Sequence, residues 1–289
     1  MSIIVSRFAP SPTGPLHLGH AYSALLAHRF ARERHGAFLL RIEDIDPGRA
    51  RPEHVDSIIE DLAWLGIDHD GEIVYQSERL PLYAAALERL KAQGLVYPCF
   101  CTRSSIAAEI AASAAAPHGP EGPLYPGTCR RLEAAERTAR AAAAPHAWRL
   151  DVGRAAKIAG PLSWTDHGVG VRAEPETFGD VVVARKDAPT SYHLAVTVDD
   201  AAQGITDVVR GRDLFASTHV HRLLQALLGL PTPRYHHHSL LTDAEGRRLA
   251  KRTGAPTLAS LREAGTDPQL LAGDLVRGFL PSGYSVAAS

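Results

Sequence analysis

Apolar and polar positions follow two rhythms along this chain. Ile3, Ile4 and Val5 form a short apolar run that predicts a buried strand. From Ala21 to His35, Leu25, Leu26 and Phe30 recur at helical spacing, with arginine and glutamate on the other face. The intervening RFAPSPTGPLHLGH (Arg7 to His20) holds prolines and a glycine that predict a fixed, non-repetitive turn. Phe38 to Glu43, FLLRIE, predicts a second core strand ending in Glu43, Asp44 and Asp46. Pro52 opens an amphipathic helix through Val55, Ile58, Ile59, Leu62 and Leu65, closed by Gly66, and a further helix runs from Pro81 to Gln93 before Gly94. This βαβαα order is the opening half of a Rossmann-like parallel sheet in an α/β protein.

The rhythm breaks after Tyr97. Residues 107–116 are mostly alanine, a Pro/Gly/His stretch runs to Gly122, and a second alanine-rich helix is predicted over 131–144. Strands return at 147–152 and 180–185, the parallel pattern resumes at 205–210, and a helix follows over 213–228. Leu240 and Leu241 then precede the loop TDAEGRRLAKRTG, and two short helical segments finish the chain. The division expected is 1–95 and 178–255 for two halves of one Rossmann-like domain, 96–177 for an insertion, and 256–289 for a short helical C-terminal segment.

Composition narrows the functional classes. The chain has 289 residues, 45% hydrophobic and 22% charged, with a net charge of −1. A near-neutral balance leaves any nucleic-acid contact to local patches. The sequence holds no apolar run of membrane length and no signal-peptide layout, so no membrane partner is expected. Three clustered cysteines do not make a disulfide framework, and the protein is expected in a reducing cytoplasm.

Several stretches carry chemistry. A strand, a rigid turn and a helix with His17 and His20 in its first turn form an anion site, because free N–H groups and the helix dipole favour phosphate. Gly19 leaves room for a flat ring or a phosphate at the backbone. The alternative is a Pro-rich loop capping an ordinary helix. Glu43, Asp44 and Asp46 end a parallel strand, where open α/β sheets bind ligands. Cys99-Phe-Cys101 puts two thiolates on one tight turn, and Cys129 can close a structural zinc site that needs a fourth ligand, for which His118 is the ordinary candidate by chemistry. His236, His237 and His238 sit in a predicted strand, where neighbours face opposite ways, so they read as strand and not as metal ligands.

RFAPSPTGPLHLGH resembles the opening of the glutamyl and glutaminyl branch of class I aminoacyl-tRNA synthetases, with HLGH as its "HIGH" element. The likeness continues in RIEDIDPGR and from Ser191 to Leu214, and so covers most of the chain. It implies a ligase that activates an amino acid with ATP and Mg and passes the acyl group to RNA. It places Arg7, Phe8, Ala9, Pro10 and Ser11 against the amino acid, Glu43 on its amino group, and Tyr192 and Arg210 in the same pocket. Arg7 and Arg210 together suit a dicarboxylic substrate, so L-glutamate is favoured over glutamine. ATP would meet His17, Gly19 and His20. GRRLAKR stands where the family has KMSKS, so Arg248 and Lys251 are its counterparts, with arginine for the first lysine and Ala250 for the serine. His17, His20 and Lys251 are the residues expected to act on phosphate.

Tyr-x-x-x-Cys after Cys-x-Cys is the arrangement of one resembled subfamily, the glutamyl-queuosine tRNA(Asp) synthetases. It implies a zinc held by Cys99, Cys101, Tyr125 and Cys129, with Tyr125 preferred to His118. The chain ends at Ser289, fewer than about forty residues after Lys251, so no anticodon-binding domain is expected. The subfamily implies transfer of glutamate to queuosine in the anticodon stem-loop of tRNA(Asp) by a monomer. A minimal glutamyl-tRNA synthetase charging a 3′ end, and a non-catalytic zinc-bearing RNA-binding paralogue, remain as alternatives.

Overall fold

A buried arginine fixes the first strand further along than its apolar run. In the computed structural model β1 is Val5–Phe8, with Ser6, Arg7 and Phe8 buried. The helix that follows is α1 (Leu18–Arg32), with His17 and His20 at its start as the sequence predicts. His17 is the N-cap residue, and the most deeply buried stripe is Ala21, Ala24, Ala27 and Ala31. Alanine lets the helix lie close on the sheet; Leu26 and Phe30 pack at its margin. β2 (Ala37–Ile42) pairs parallel with β1, in register from Val5 against Ala37 to Phe8 against Leu40. Gly36 makes that approach possible, since a Cβ there would lie 2.5 Å from the carbonyl oxygen of Ile4. α2 (Pro52–Trp64), β3 (Val74–Tyr75) and α3 (Leu80–Ala92) complete the first half, with β3 parallel to β2.

The structure describes residues 3–112, 118–120, 122–243, 245, 247, 249, 256–280 and 284–287. The end of the alanine-rich stretch (113–117) and Arg248, Ala250 and Lys251 of the expected ATP loop lie outside that set.

The next segment runs β4 (Val96–Cys99), α4 (Arg103–Ala112), β5 (His118–Gly119), β6 (Gly122–Pro123), α5 (Ala134–Ala143), β7 (Ala147–Leu150), α6 (Val152–Ala159), β8 (Ser163–Asp166), β9 (Val169–Arg172) and β10 (Val182–Ala184). β10, β7 and β4 form an antiparallel sheet. Pairing therefore crosses the division at 177, because β10 lies on β7. It also crosses in the other direction: the β8–β9 hairpin, turned by His167 and Gly168 at positive φ, joins the second half of the parallel sheet.

That half consists of α7 (Tyr192–Ala202), β11 (Asp207–Gly211), α8 (Ser217–Leu227) and β12 (Arg234–His238), with β11 parallel to β12 and β12 parallel to β8. The two halves meet where the Thr206 N–H donates to the Val5 carbonyl at 2.9 Å and the Val5 N–H to Thr206 Oγ1 at 2.9 Å. β13 (Leu241–Asp243), α9 (Leu258–Glu263) and α10 (Pro268–Arg277) follow. The C-terminal segment is not wholly helical, since β14 (Tyr284–Val286) returns antiparallel to β13. Thr257 bridges His17, and the Leu258 N–H donates to the Leu16 carbonyl, which ties this segment to the first turn. Among the described residues no helix is long and apolar enough to cross a membrane.

A buried polar knot joins the halves. Asp199 on α7 accepts from Gln76 at 2.8 Å, Arg79 at 2.7 Å and Tyr83 at 2.7 Å. Its neighbour Asp200 accepts from Arg7 at 3.0 Å and from Arg41 at 2.9 Å. Removing one partner of such a knot leaves buried charge uncompensated. Asp199→Ala is expected to destabilise the fold by about 3–5 kcal/mol, read by urea unfolding at neutral pH. Wild-type stability in that variant would show that the knot does not hold the halves together.

Candidate functional site

Above the C-terminal ends of β1, β2 and β11 lies a cavity of about 470 Å³. Arg7, Phe8, Ala9, Pro10 and Ser11 enter from the end of β1 and the turn after it, His17, Gly19 and His20 from the start of α1, Glu43 from the end of β2, Tyr192 from the first turn of α7 and Arg210 from β11. The structure thus brings together every described residue that the sequence assigned to amino acid or nucleotide.

The helix end is built from two imidazoles. His17 Nδ1 accepts from the Gly19 N–H at 3.1 Å, and His20 Nδ1 accepts from the His17 N–H at 3.2 Å, forming a capping box from histidines alone. Each acceptor role puts the proton of the neutral ring on Nε2, so both rings carry an N–H donor away from the backbone. The rings lie 3.9 Å apart. A Cβ at Gly19 would meet the His17 ring at 3.0 Å, so this glycine is required first by the imidazole that caps the helix.

Charge is distributed unevenly over the cavity floor. Arg7 is held by Asp200 through Nε and, at 3.3 Å, through Nη2. Burial alone would raise the Asp200 carboxyl, but Arg7 and Arg41 outweigh it and hold it below the usual range. Arg41 is fully buried and lies 3.5 Å from Glu43. Burial pushes Glu43 up to about 6, against the pull of Arg41 and Arg7. Arg210 is different: among the described residues no carboxylate pairs with it. Its Nε donates to His237 Nε2 at 3.2 Å, and its Nη2 donates to Thr218 Oγ1 at 2.7 Å and to the Leu214 carbonyl at 3.1 Å. Nη1 has only long contacts, 3.5 Å each, to Tyr192 Oη and His221 Nδ1. Burial, then the charge of Arg210, lowers His193 to about 4, His237 to about 3 and His221 well below the ordinary imidazole value. Burial raises Tyr192 to about 12, so its phenol stays protonated. Such a floor suits a small zwitterion carrying one further anionic group.

The sequence reading missed part of this shell. Arg41, Asp199 and Asp200 lie inside the resembling stretches but received no role from them, and Thr218 and His221 lie outside those stretches. The available signal was two adjacent acids on an otherwise apolar helix, which must find cations if the helix is buried.

A second cluster lies at the end of β4. The Cys99, Cys101 and Cys129 sulfurs all lie within 4.8 Å of one another, Cys101 and Cys129 at 3.5 Å. Tyr125 Oη sits 3.5 Å from the sulfurs of both Cys99 and Cys101 and accepts from the Cys129 N–H at 2.9 Å. A tetrahedral ion with metal–sulfur bonds of about 2.3 Å sets its sulfurs roughly 3.8 Å apart, so these donors fit one. The side chain of His118 lies outside the described residues. Burial pushes Cys101 up to about 11 and Tyr125 higher still.

The family model described as "tRNA synthetases class I (E and Q), catalytic domain" matches residues 3–286. The chain is 50% identical to the glutamyl-Q tRNA(Asp) synthetase of Rhodobacter capsulatus over 92% of its length and 97% of the relative's. It is 48% identical to that of Symbiobacterium thermophilum, over 94% and 85% of the two chains. Among solved structures, the glutamate tRNA ligase of Elizabethkingia meningosepticum, determined in complex with its amino acid, superposes with a TM-score of 0.77 at 28% identity. That match covers 96% of this chain and 61% of the ligase, a longer protein. The chain belongs to the glutamyl and glutaminyl family of class I tRNA synthetases, a family of ligases, and within it to the glutamyl-Q tRNA(Asp) synthetases.

Proposed function

We propose that the chain activates L-glutamate with ATP and Mg to glutamyl-adenylate and transfers the glutamyl group to the queuosine base at the wobble position of tRNA(Asp). The observation that carries the activation step is one cavity holding a carboxylate, Glu43, and a cation, Arg210, that has no acid partner among the described residues, beside an imidazole-capped helix end. Glu43 receives the ammonium, and Arg210 with Tyr192 receives the side-chain carboxylate. Arg7 to Ser11 form the wall that seats the backbone atoms of the amino acid. The α-carboxylate oxygen attacks the α-phosphorus of ATP and pyrophosphate leaves. His17 and His20 donate from Nε2 to the phosphate oxygens, and Lys251 and Arg248 are assigned to the leaving pyrophosphate. No side-chain nucleophile is needed, because position and charge compensation carry the step. A hydroxyl of the queuosine cyclopentene-diol then attacks the acyl carbon, releasing AMP and a proton.

The acceptor rests on the names of the relatives reported above, and the glutamate tRNA ligase likeness favours a second reading, charging of a tRNA 3′ end. One experiment separates them. Glutamate is expected to join tRNA(Asp) carrying queuosine even when its 3′ adenosine is removed, and not the unmodified transcript. Charging that requires the 3′ adenosine would establish the second reading instead.

Protonation of Glu43 provides a further check. A group buried with its value raised to about 6 loses its charge as pH falls through that point. Because only the carboxylate pairs with an ammonium, the KM for glutamate is expected to rise as pH drops through about 6, measured by pyrophosphate exchange. Linkage has the opposite sign for stability: the raised value favours the folded state below the unfolded carboxyl value, and this contribution fades as pH rises through about 6. Glu43→Gln is therefore expected to bind glutamate poorly yet melt no lower than wild type at neutral pH.

We also assign one structural zinc to Cys99, Cys101, Cys129 and Tyr125, where it would supply folding energy to the loops around β4. Metal analysis is expected to find one equivalent per chain, and Tyr125→Phe to weaken its retention. Less than about half an equivalent in freshly purified protein would reject the assignment.

A further inference from the structure

The run His236-His237-His238 is not used by the activation scheme above, yet the three rings have three different partners. On one face of β12, His236 Nε2 lies 2.9 Å from Asp207 and His238 Nε2 lies 2.6 Å from Ser23 Oγ. His237 points to the other face, fully buried as a side chain. There its Nδ1 lies 3.0 Å from Asp166 Oδ1, and its Nε2 lies 3.2 Å from Nε of Arg210.

These two contacts are chemically ordered. The Arg210 Nε–H can only donate, so His237 Nε2 must carry a lone pair. The neutral ring then holds its proton on Nδ1, and the carboxylate of Asp166 is the acceptor that favours this tautomer. The same oxygen also accepts the backbone N–H of His237 at 3.0 Å, which fixes the ring relative to its own strand. Asp166 is the last residue of β8 and is brought here by the parallel pairing of β8 with β12. With Nε held by His237 and Nη2 by Thr218 and Leu214, Nη1 is the loosely held end of the guanidinium, on the side of the cavity-lining Tyr192.

We infer that Asp166 and His237 are positioning residues: the carboxylate sets the imidazole tautomer, and the imidazole orients Arg210 so that Nη1 meets the side-chain carboxylate of the amino acid. The inference rests on the glutamate reading of the cavity. It explains why a neutral ring stands beside this cation. An acid there would satisfy Arg210 before any substrate arrived, and a protonated ring would repel it.

The test combines a spectroscopic and a kinetic measurement on the full chain. Long-range ¹⁵N–¹H correlation, with the His237 signals identified by their loss in His237→Gln, is expected to show Nδ1 protonated and Nε2 bare in the wild type. In glutamate-dependent pyrophosphate exchange, His237→Leu is expected to raise the KM for glutamate on the order of 10- to 100-fold, the range for losing a hydrogen bond to a charged group, with the KM for ATP unchanged. His237→Gln, whose carbonyl can accept from Nε, should recover most of the loss. Asp166→Leu should raise the glutamate KM in the same way and Asp166→Asn should largely restore it. A wild-type His237 protonated on Nε2, or an unchanged glutamate KM in His237→Leu, would overturn the inference. If the wild type shows no glutamate-dependent exchange, the glutamate reading fails, while the tautomer measurement still decides the Asp166–His237 arrangement.

Discussion

Everything in the site depends on a pair of adjacent buried carboxylates, Asp199 and Asp200 at the C-terminal end of α7. Asp200 is shared by Arg7 of β1 and Arg41 of β2, and Arg7 and Asp200 are 193 residues apart in the chain. Asp199 gathers Gln76, Arg79 and Tyr83 from the approach to α3 and from the helix itself. A buried ion pair is a weak source of net stability, because desolvation offsets most of the attraction. It is a strong source of register, since any displacement leaves a charge without its partner. The register matters here because the other end of α7 carries Tyr192. One helix thus fixes a cavity residue of the second half against the strands that carry Arg7 and Glu43.

The cavity is also defined by a charge that no carboxylate among the described residues compensates. Arg7 and Arg41 have Asp200, whereas Arg210 is surrounded by hydroxyl, carbonyl and neutral imidazole. Burial keeps those imidazoles neutral, and the cation they surround opposes protonation further. Glu43 shows the converse, a carboxyl whose burial has moved it toward neutral pH. An ammonium and a carboxylate arriving on one small molecule would compensate both departures at once. A monocarboxylic amino acid with an apolar side chain would compensate only one, which gives the floor a preference without a steric filter.

Much of this was legible in the sequence, for stated reasons. Pro52, Gly66 and Gly94 punctuated helices that begin and end within a residue or two of where they were placed. Cys-x-Cys and Tyr-x-x-x-Cys converge on one point because short spacings leave the backbone little freedom. The start of α1 at His17 and His20 agrees with the structure, whereas its buried face is lined by alanine and not by the large apolar residues, because close packing on β1 and β11 selects alanine. β14 was missed because three residues of strand have no period to detect. The β8–β9 hairpin was missed for the same reason, although His167-Gly168 between short alternating runs was its available signal. The partners of Arg41 were beyond reach, since a pairing across 158 or 159 positions exists only once both halves have folded.

The triple histidine shows how strand geometry turns a repetitive run into separate functions. Alternation predicts that His236 and His238 share a face and that His237 faces away, which is how β12 presents them. That argument was sufficient to reject a metal site, since no three of these rings can converge on one ion. It left open what the outlying ring does, because the answer depends on which strands flank β12. β11 on one side brings Arg210, and β8 on the other brings Asp166. The central strand therefore needs at this position a side chain that accepts from a cation and donates to a carboxylate while remaining neutral. Only a histidine in the Nδ1–H tautomer does so through two atoms of one rigid ring; an amide spans the same partners with a flexible stem, and a hydroxyl is too short. The ring is thus specified by the order of the sheet around it and not by the run of histidines in which it occurs.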